Sequence, residues 1–108
     1  LIMAIFEIER LNGTAVTVDT EKRSVERFRY KVKFTPNEWK LLVMLYKANG
    51  EMVKRDELIA HIWNGEIHST RTVDMHLSAV RKKLAYIKGA TIKSCYGKGY
   101  KFVMLEKF

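Results

Sequence analysis

The sequence predicts an α+β domain in which strands come first, three helices follow and a β-hairpin ends the chain. Three observations predict it. RTVDMHLSAVRKKL, Arg71 to Leu84, places Val73, Leu77, Val80 and Leu84 on one stripe, as a helix with one buried face requires. FRYKVKF, Phe28 to Phe34, alternates apolar and basic residues as a half-buried strand does. TIKSCYGKGYKFVML holds two alternating runs about GKG, and Thr91–Tyr96 and Tyr100–Leu105 pair naturally as a hairpin.

The elements follow in order. Residues 1–34 read as an N-terminal antiparallel sheet. AVTVD, Ala15 to Asp19, is β-branched and alternating, and Asn12-Gly13 before it is a turn signal. EKRS, Glu21 to Ser24, sits where a connection belongs. In Phe28–Phe34 the residues Phe28, Tyr30, Val32 and Phe34 share one face of a single strand. Residues 35–86 hold the helices. Thr35 is a good N-cap, Pro36 suits the first helical position, and Glu38 completes a capping box. Trp39, Leu42, Val43 and Tyr46 form the buried stripe of that first helix, and Asn49-Gly50 ends it. A short second helix runs from about Arg55 to Ile62 with Leu58, Ile59, Ile62 and Trp63 inward. Asn64 to Thr70 is a loop, and the third helix spans 70–86 with Ser69 or Thr70 as its cap. Residues 91–105 form the hairpin. A helix pair joined by a loop and followed by a hairpin is the layout of a winged helix-turn-helix.

A chain of 108 residues is one domain by length, so 1–108 is expected to fold as a unit. An apolar share of 47% can bury a small core, and five Phe, five Tyr and two Trp with one Pro argue against disorder. Cys95 is the one cysteine, so no internal disulfide can form, which fits a reducing cytoplasm. No apolar run approaches membrane-spanning length, and LIMAIF lacks the basic lead and cleavage site of a signal peptide. The chain starts at Leu1, which reads as a piece of a longer protein or as a residue left by expression.

The formal charge is +8, with a pI near 9.7. That surplus favours a polyanionic partner, nucleic acid ahead of an anionic membrane surface. Its position says more. Between residues 71 and 101 stand Arg71, Arg81, Lys82, Lys83, Lys88, Lys93, Lys98 and Lys101, with Asp74 the single acid.

The third helix turns Arg71, Met75, Ser78, Ala79 and Lys82 away from its apolar stripe. Thr72, His76 and Lys83 flank one edge, and Asp74 and Arg81 the other. A helix that enters the major groove needs short residues in the middle and cations or hydroxyls at the edges, for the phosphate rows. Arg71 and His76 can read base edges, Ser78 can hydrogen-bond to a base, and Ala79 and Met75 can pack on a thymine methyl. The same helix also reads as a core helix with a basic solvated face, and on the helix alone both readings stand. The hairpin adds Gly97-Lys98-Gly99, a tight turn with a cation at its tip between Tyr96 and Tyr100, which can lie along a minor groove. A Gly-rich phosphate cradle would need a helix after the turn, and a strand follows instead.

TPNEWKLL, RTVDMHLSAVRKKL and IKSCYGKGYKF, in that order and at those separations, resemble the OmpR/PhoB-type winged-helix DNA-binding domain, the output half of bacterial response regulators in two-component systems. The resemblance covers about Val16 to Val103. It implies a four-stranded N-terminal sheet, three helices and a C-terminal wing. It implies sequence-specific binding of double-stranded promoter DNA for transcription regulation, with helix 70–86 in the major groove and wing 94–100 at the minor groove. It implies dimers on direct repeats and a loop, 63–69, that meets RNA polymerase. Matched position by position, it assigns DNA contacts to Arg71, Thr72, His76 and Arg81, and has Asp74 either hold structure or pair with a basic side chain. Ser78 and Ala79 stand where relatives are often basic, and Tyr96 stands where an Arg is usual. Ser94 matches a small hydroxyl that can touch phosphate, and Tyr100 the wing tyrosine. The family's phosphorylatable receiver domain is not expected in the residues ahead of the first strand, so the sequence reads either as cut from a longer protein or as a standalone or differently regulated member. SVERFRYKVKF is longer and more basic than the usual strand connection, and the resemblance gives it no role.

Other chemistries find little support. His61, His68 and His76 match no helical ligand pair, and Cys95 lies far from them in sequence, as a small core hydrophobe on a strand. No paired carboxylates and no partnered nucleophile are placed, so neither an enzyme nor a cofactor is expected. Trp39 and Trp63 read as core. Binding of RNA or single strands lacks an aromatic array on a strand. The alternative that remains is a winged-helix protein-interaction module without specific DNA binding, kept open by the short Ser78 and Ala79.

Overall fold

The computed structural model describes residues 5–11, 14–66 and 71–104, with side chains from Val16 onward. Ten elements run in the expected order. Four strands, β1 (Ile5–Leu11), β2 (Thr14–Asp19), β3 (Ser24–Arg27) and β4 (Tyr30–Lys33), pair antiparallel in sequence order. Helix α1 (Pro36–Lys47), strand β5 (Val53–Lys54), helix α2 (Arg55–Trp63) and helix α3 (Arg71–Ile87) follow. Strands β6 (Ala90–Cys95) and β7 (Gly99–Met104) form the wing, and β5 joins them in a sheet of order β5-β7-β6. Asn12-Gly13, Ser69, Thr70, His68 and Leu105, which the sequence reading singled out, lie outside the described residues.

The expectation of one strand over Phe28–Phe34 is corrected. The chain turns at Phe28-Arg29, so the run is divided between a turn and β4, which folds back on β3 with Val25 opposite Val32 and Arg27 opposite Tyr30. Phe28 takes a left-handed φ of 57° and faces solvent, while Phe34 is buried. Strict alternation cannot tell a long strand from a strand entered through a tight turn. The two-residue β5 also escaped the sequence reading, being too short to show a period.

Helix α1 starts as its cap predicts. The Thr35 hydroxyl accepts from the Glu38 backbone N–H at 3.3 Å, and the Glu38 carboxylate accepts from the Thr35 N–H at 2.9 Å. Its buried stripe is Glu38, Leu41, Leu42 and Leu45, whereas Trp39, Val43 and Tyr46 are only partly covered. The expected stripe is therefore rotated by part of a turn, because α1 packs on α3, α2 and β7 together rather than on one flat neighbour. Helix α2 ends on Asn64 in the left-handed conformation. Helix α3 buries Val73, Leu77, Val80, Leu84 and Ile87, and these meet Leu41, Leu45, Leu58, Ile92 and Phe102 in one core. Cys95 is half-exposed near the wing tip, not in that core, since β6 leaves the helices beyond Ile92.

Candidate nucleic-acid interface

Two faces of α3 give the site its geometry. The buried face fixes the helix against α1 and the wing. The outer face presents Arg71, Met75, Ser78, Ala79 and Lys82 around a shallow depression, with Met75 62% exposed. These residues follow one another at helical spacing, so one straight surface carries both the small residues and the cations.

The wing is braced against this helix at two heights. Near the N-terminal half of α3, Tyr100 donates its hydroxyl to Asp74 Oδ1 at 3.0 Å and accepts from Arg55 Nη2 at 2.6 Å. Arg55 also lies 3.5 Å from Asp74, and its backbone N–H donates to the Lys98 carbonyl at 3.2 Å. The Tyr100 hydroxyl, foremost, and then the neighbouring acids hold the Arg55 guanidinium charged against the opposing effect of burial. One turn and more further on, Arg81 Nε donates to the Ile92 carbonyl at 2.8 Å and Nη2 to the Ser94 hydroxyl at 2.9 Å. Gly99 lies so close to β5 that a Cβ there would meet the Val53 carbonyl oxygen at 2.2 Å. Gly97, at φ +75°, has open space around it.

His76 is half-buried. Its ring stands edge-on to Trp63 at 5.2 Å, and Nδ1 donates to the Thr72 carbonyl at 2.8 Å. A carbonyl only accepts, so the Nδ1 position carries a proton, and Nε2 is the ring nitrogen left to turn outward. Below it, Lys83 donates to the buried Glu38 carboxylate at 2.6 Å and lies over the Phe34 ring at 5.3 Å. Burial pushes the Glu38 carboxyl up, but the hydrogen bonds from Lys83 and Thr35 and the charges of Lys83 and His76 outweigh it and hold it below its ordinary value.

The structure thus brings Arg71, Thr72, Met75, His76, Ser78, Ala79 and Lys82 onto or beside one surface, and sets Ser94, Tyr96 and Lys98 on the wing, where Tyr96 is 100% exposed. Two residues stand differently from the sequence expectation. Tyr100 is 4% exposed and its hydroxyl serves Arg55 and Asp74, so it positions the wing and offers nothing to a groove. Arg81 gives two donors to β6 and acts first as a brace.

The model of the family described as "Transcriptional regulatory protein, C terminal" matches residues 29–102. The chain belongs to this family, the OmpR/PhoB-type domains that its motifs resemble. Among curated proteins it is similar to the transcriptional regulatory protein SrrA of Staphylococcus aureus, 32% identical over 89 residues, which are 79% of this chain and 37% of that protein. The chain therefore spans little more than a third of the length of the curated relatives it matches. The solved DNA-binding domain of E. coli CadC superposes with a TM-score of 0.75 at 26% identity, over 94% of this chain and 96% of that one. The Klebsiella pneumoniae RstA DNA-binding domain, solved in complex with its RstA box, gives 0.65 at 28% identity over 82% and 90%. The AdeR DNA-binding domain in complex with an intercistronic region gives 0.65 at 26% identity over 99% and 98%.

Within this family member, one positioning residue escaped the sequence reading. Arg55 opens α2 and reaches both Asp74 and Tyr100. The only signal for it was the expectation that Asp74 would have a basic partner. Among the described residues no cluster of His, Cys, Asp and Glu could hold a metal ion, and no helix is long and apolar enough to cross a membrane.

Proposed function

We propose that this domain binds double-stranded promoter DNA in a sequence-specific way, as the output domain of a bacterial transcription regulator. One observation carries the reading. The outer face of α3 sets the short Ser78 and Ala79 beside the exposed Met75, between Arg71 and Lys82 and with Asp74 the one acid at the rim, and a wing with Lys98 at its tip is tied to the same helix. An α-helix fits the major groove, and a basic tip beside it suits the minor groove or its phosphates. The DNA-bound AdeR and RstA domains share this fold.

In this reading Arg71, Met75, His76, Ser78 and Ala79 face the base edges. Thr72, Lys82, Ser94, Tyr96 and Lys98 serve the phosphates and the wing contact. Tyr100 and Arg81 hold the wing at its distance from α3. The domain acts in the bacterial cytoplasm, without enzymatic activity, within a two-component regulator, and two copies bind side by side on direct repeats. The segment 63–69, which starts at the last residue of α2, is the candidate contact for RNA polymerase, with Trp63 and Glu66 the ends of its described part.

The test is selection from randomised duplex DNA at near-physiological salt. A repeated short motif at a spacing of about 10–11 base pairs supports specific tandem binding. Retention without any enriched motif leaves phosphate contacts alone and sinks sequence specificity. No retention moves the function to a protein-interaction module.

A further inference from the structure

Apart from Phe34, which lies beneath Lys83, the segment SVERFRYKVKF has no part in the site described so far. It forms the β3–β4 hairpin, whose tip is unusual. Phe28 is 69% exposed and holds φ 57°, a conformation that costs a bulky side chain strain. The hairpin is also fastened to the end of α3. Arg27 Nη1 donates to the Ile87 carbonyl at 2.7 Å while its guanidinium lies 5.1 Å from the Phe28 ring centre. Tyr30 meets Tyr86 edge-on, with ring centres 5.3 Å apart.

Tyr86 is the link. It is 55% exposed and stands about 20° from Met75 and about 40° from Lys82 around the helix, so it continues the outer face of α3. From Arg71 to Tyr86 that face rises about 22 Å. The major groove is about 12 Å wide. A helix of this length seated in the groove carries its C-terminal end past the groove edge, to the phosphate row. At that end the hairpin presents Arg29 and Lys31, both exposed, and Lys88 follows α3 directly. Over Ser24–Lys33 the single acid is Glu26, opposite Lys31.

We infer that the tip of the β3–β4 hairpin is a third DNA-contacting element, which lays Arg29, Lys31 and the Tyr30 and Tyr86 hydroxyls against phosphates beyond the groove at the C-terminal end of α3. The inference rests on the duplex-DNA reading and extends it. Edge protection explains part of the charge, because β4 is an edge strand and Lys31 and Lys33 deter pairing with another sheet. It does not explain a tip of exposed rings, or a hairpin tied to the recognition helix by Arg27. Tyrosine hydroxyls and basic side chains are the groups that hold phosphate oxygens. The wing tip sits toward the other end of α3, beside Arg55, so wing and hairpin bracket the helix.

The test is the double variant Arg29→Ala/Lys31→Ala, measured for salt-dependent affinity on a duplex that carries one retained site and a full helical turn of flank on each side. Two lost phosphate contacts should weaken binding about tenfold and flatten the log–log salt slope by about two units. Trimming the flank at the C-terminal end of α3 should then make parent and variant equal, and an unchanged thermal melt shows that the fold is kept. Equal affinity and slope on the long duplex overturn the inference while leaving the duplex-DNA reading intact. A loss seen only on two-site duplexes overturns it in favour of contact between neighbouring copies. A parent chain that binds no duplex overturns both.

Discussion

The two long faces of α3 share one backbone and almost nothing else. On the inner face Val73, Leu77, Val80, Leu84 and Ile87 are closed off from solvent, with α1, β4 and the wing strand β6 packed on the helix. On the outer face Arg71, Met75, Ser78, Lys82 and Tyr86 meet solvent along the whole helix. Between the two run the edges, where Asp74 and Arg81 reach the wing and Lys83 reaches α1. The inner face supplies apolar burial, the edges supply orientation, and on the proposed function the outer face supplies contact. A single helix can therefore separate stability from recognition by direction alone, within 3.6 residues of sequence.

Substitutions can break or sharpen that separation. The largest effect belongs to the inner face. Leu77→Ala should lower unfolding free energy by about 2–5 kcal/mol, read by chemical denaturation. Duplex affinity per folded molecule should hold, and a matching loss there would show that the faces are coupled. Next comes the outer face. Arg71→Ala should weaken a specific duplex by about 1–3 kcal/mol and relax the choice at one base pair, with an unchanged melting temperature. Equal loss on every sequence would move Arg71 from base reading to phosphate contact.

The edge gives a smaller and pH-dependent effect. Lys83→Met removes the cation from a carboxylate that stays buried, and should cost about 1–2 kcal/mol at neutral pH, between the values for exposed and buried pairs. Glu38 has its folded pKa depressed, so its contribution is full above the unfolded value of about 4.3 and is lost as pH falls through the lower folded value. Parent and variant should thus converge in stability once pH has fallen through that depressed folded value. A gap that persists there would assign the loss to packing on Phe34. The smallest effect is at the wing tip. Lys98→Ala should weaken all duplexes alike and flatten the salt slope by about one unit, without moving the melting temperature.

The same contrast explains what the sequence made legible. The inner stripe of α3, the Thr35 capping box and the wing hairpin are local patterns, repeated at 3.6 or 2 residues or fixed by a cap, and all three stand in the structure. The family motifs carried the recognition helix and the wing to their places. The braces were not legible. Arg55 and Tyr100 lie far apart in sequence, and no period links a helix N-terminus to a wing strand. For the same reason Tyr100, a plausible groove residue by position, proves to be buried. The split of Phe28–Phe34 depended on a left-handed φ at a phenylalanine, which residue type argues against.

The motif GKG looks symmetrical, yet its two glycines stand under different constraints. Position 97 is restricted by backbone conformation and has room for a side chain, so Asn or Asp, which tolerate left-handed φ, are admissible substitutes there. Position 99 is restricted by the carbonyl of Val53 pressed against it, and even a methyl group would pry β7 from β5. Substitution can therefore pass through the first position only by residues that accept its left-handed φ, and it stops at the second glycine, where the wing is hinged to the strand that leads into α2.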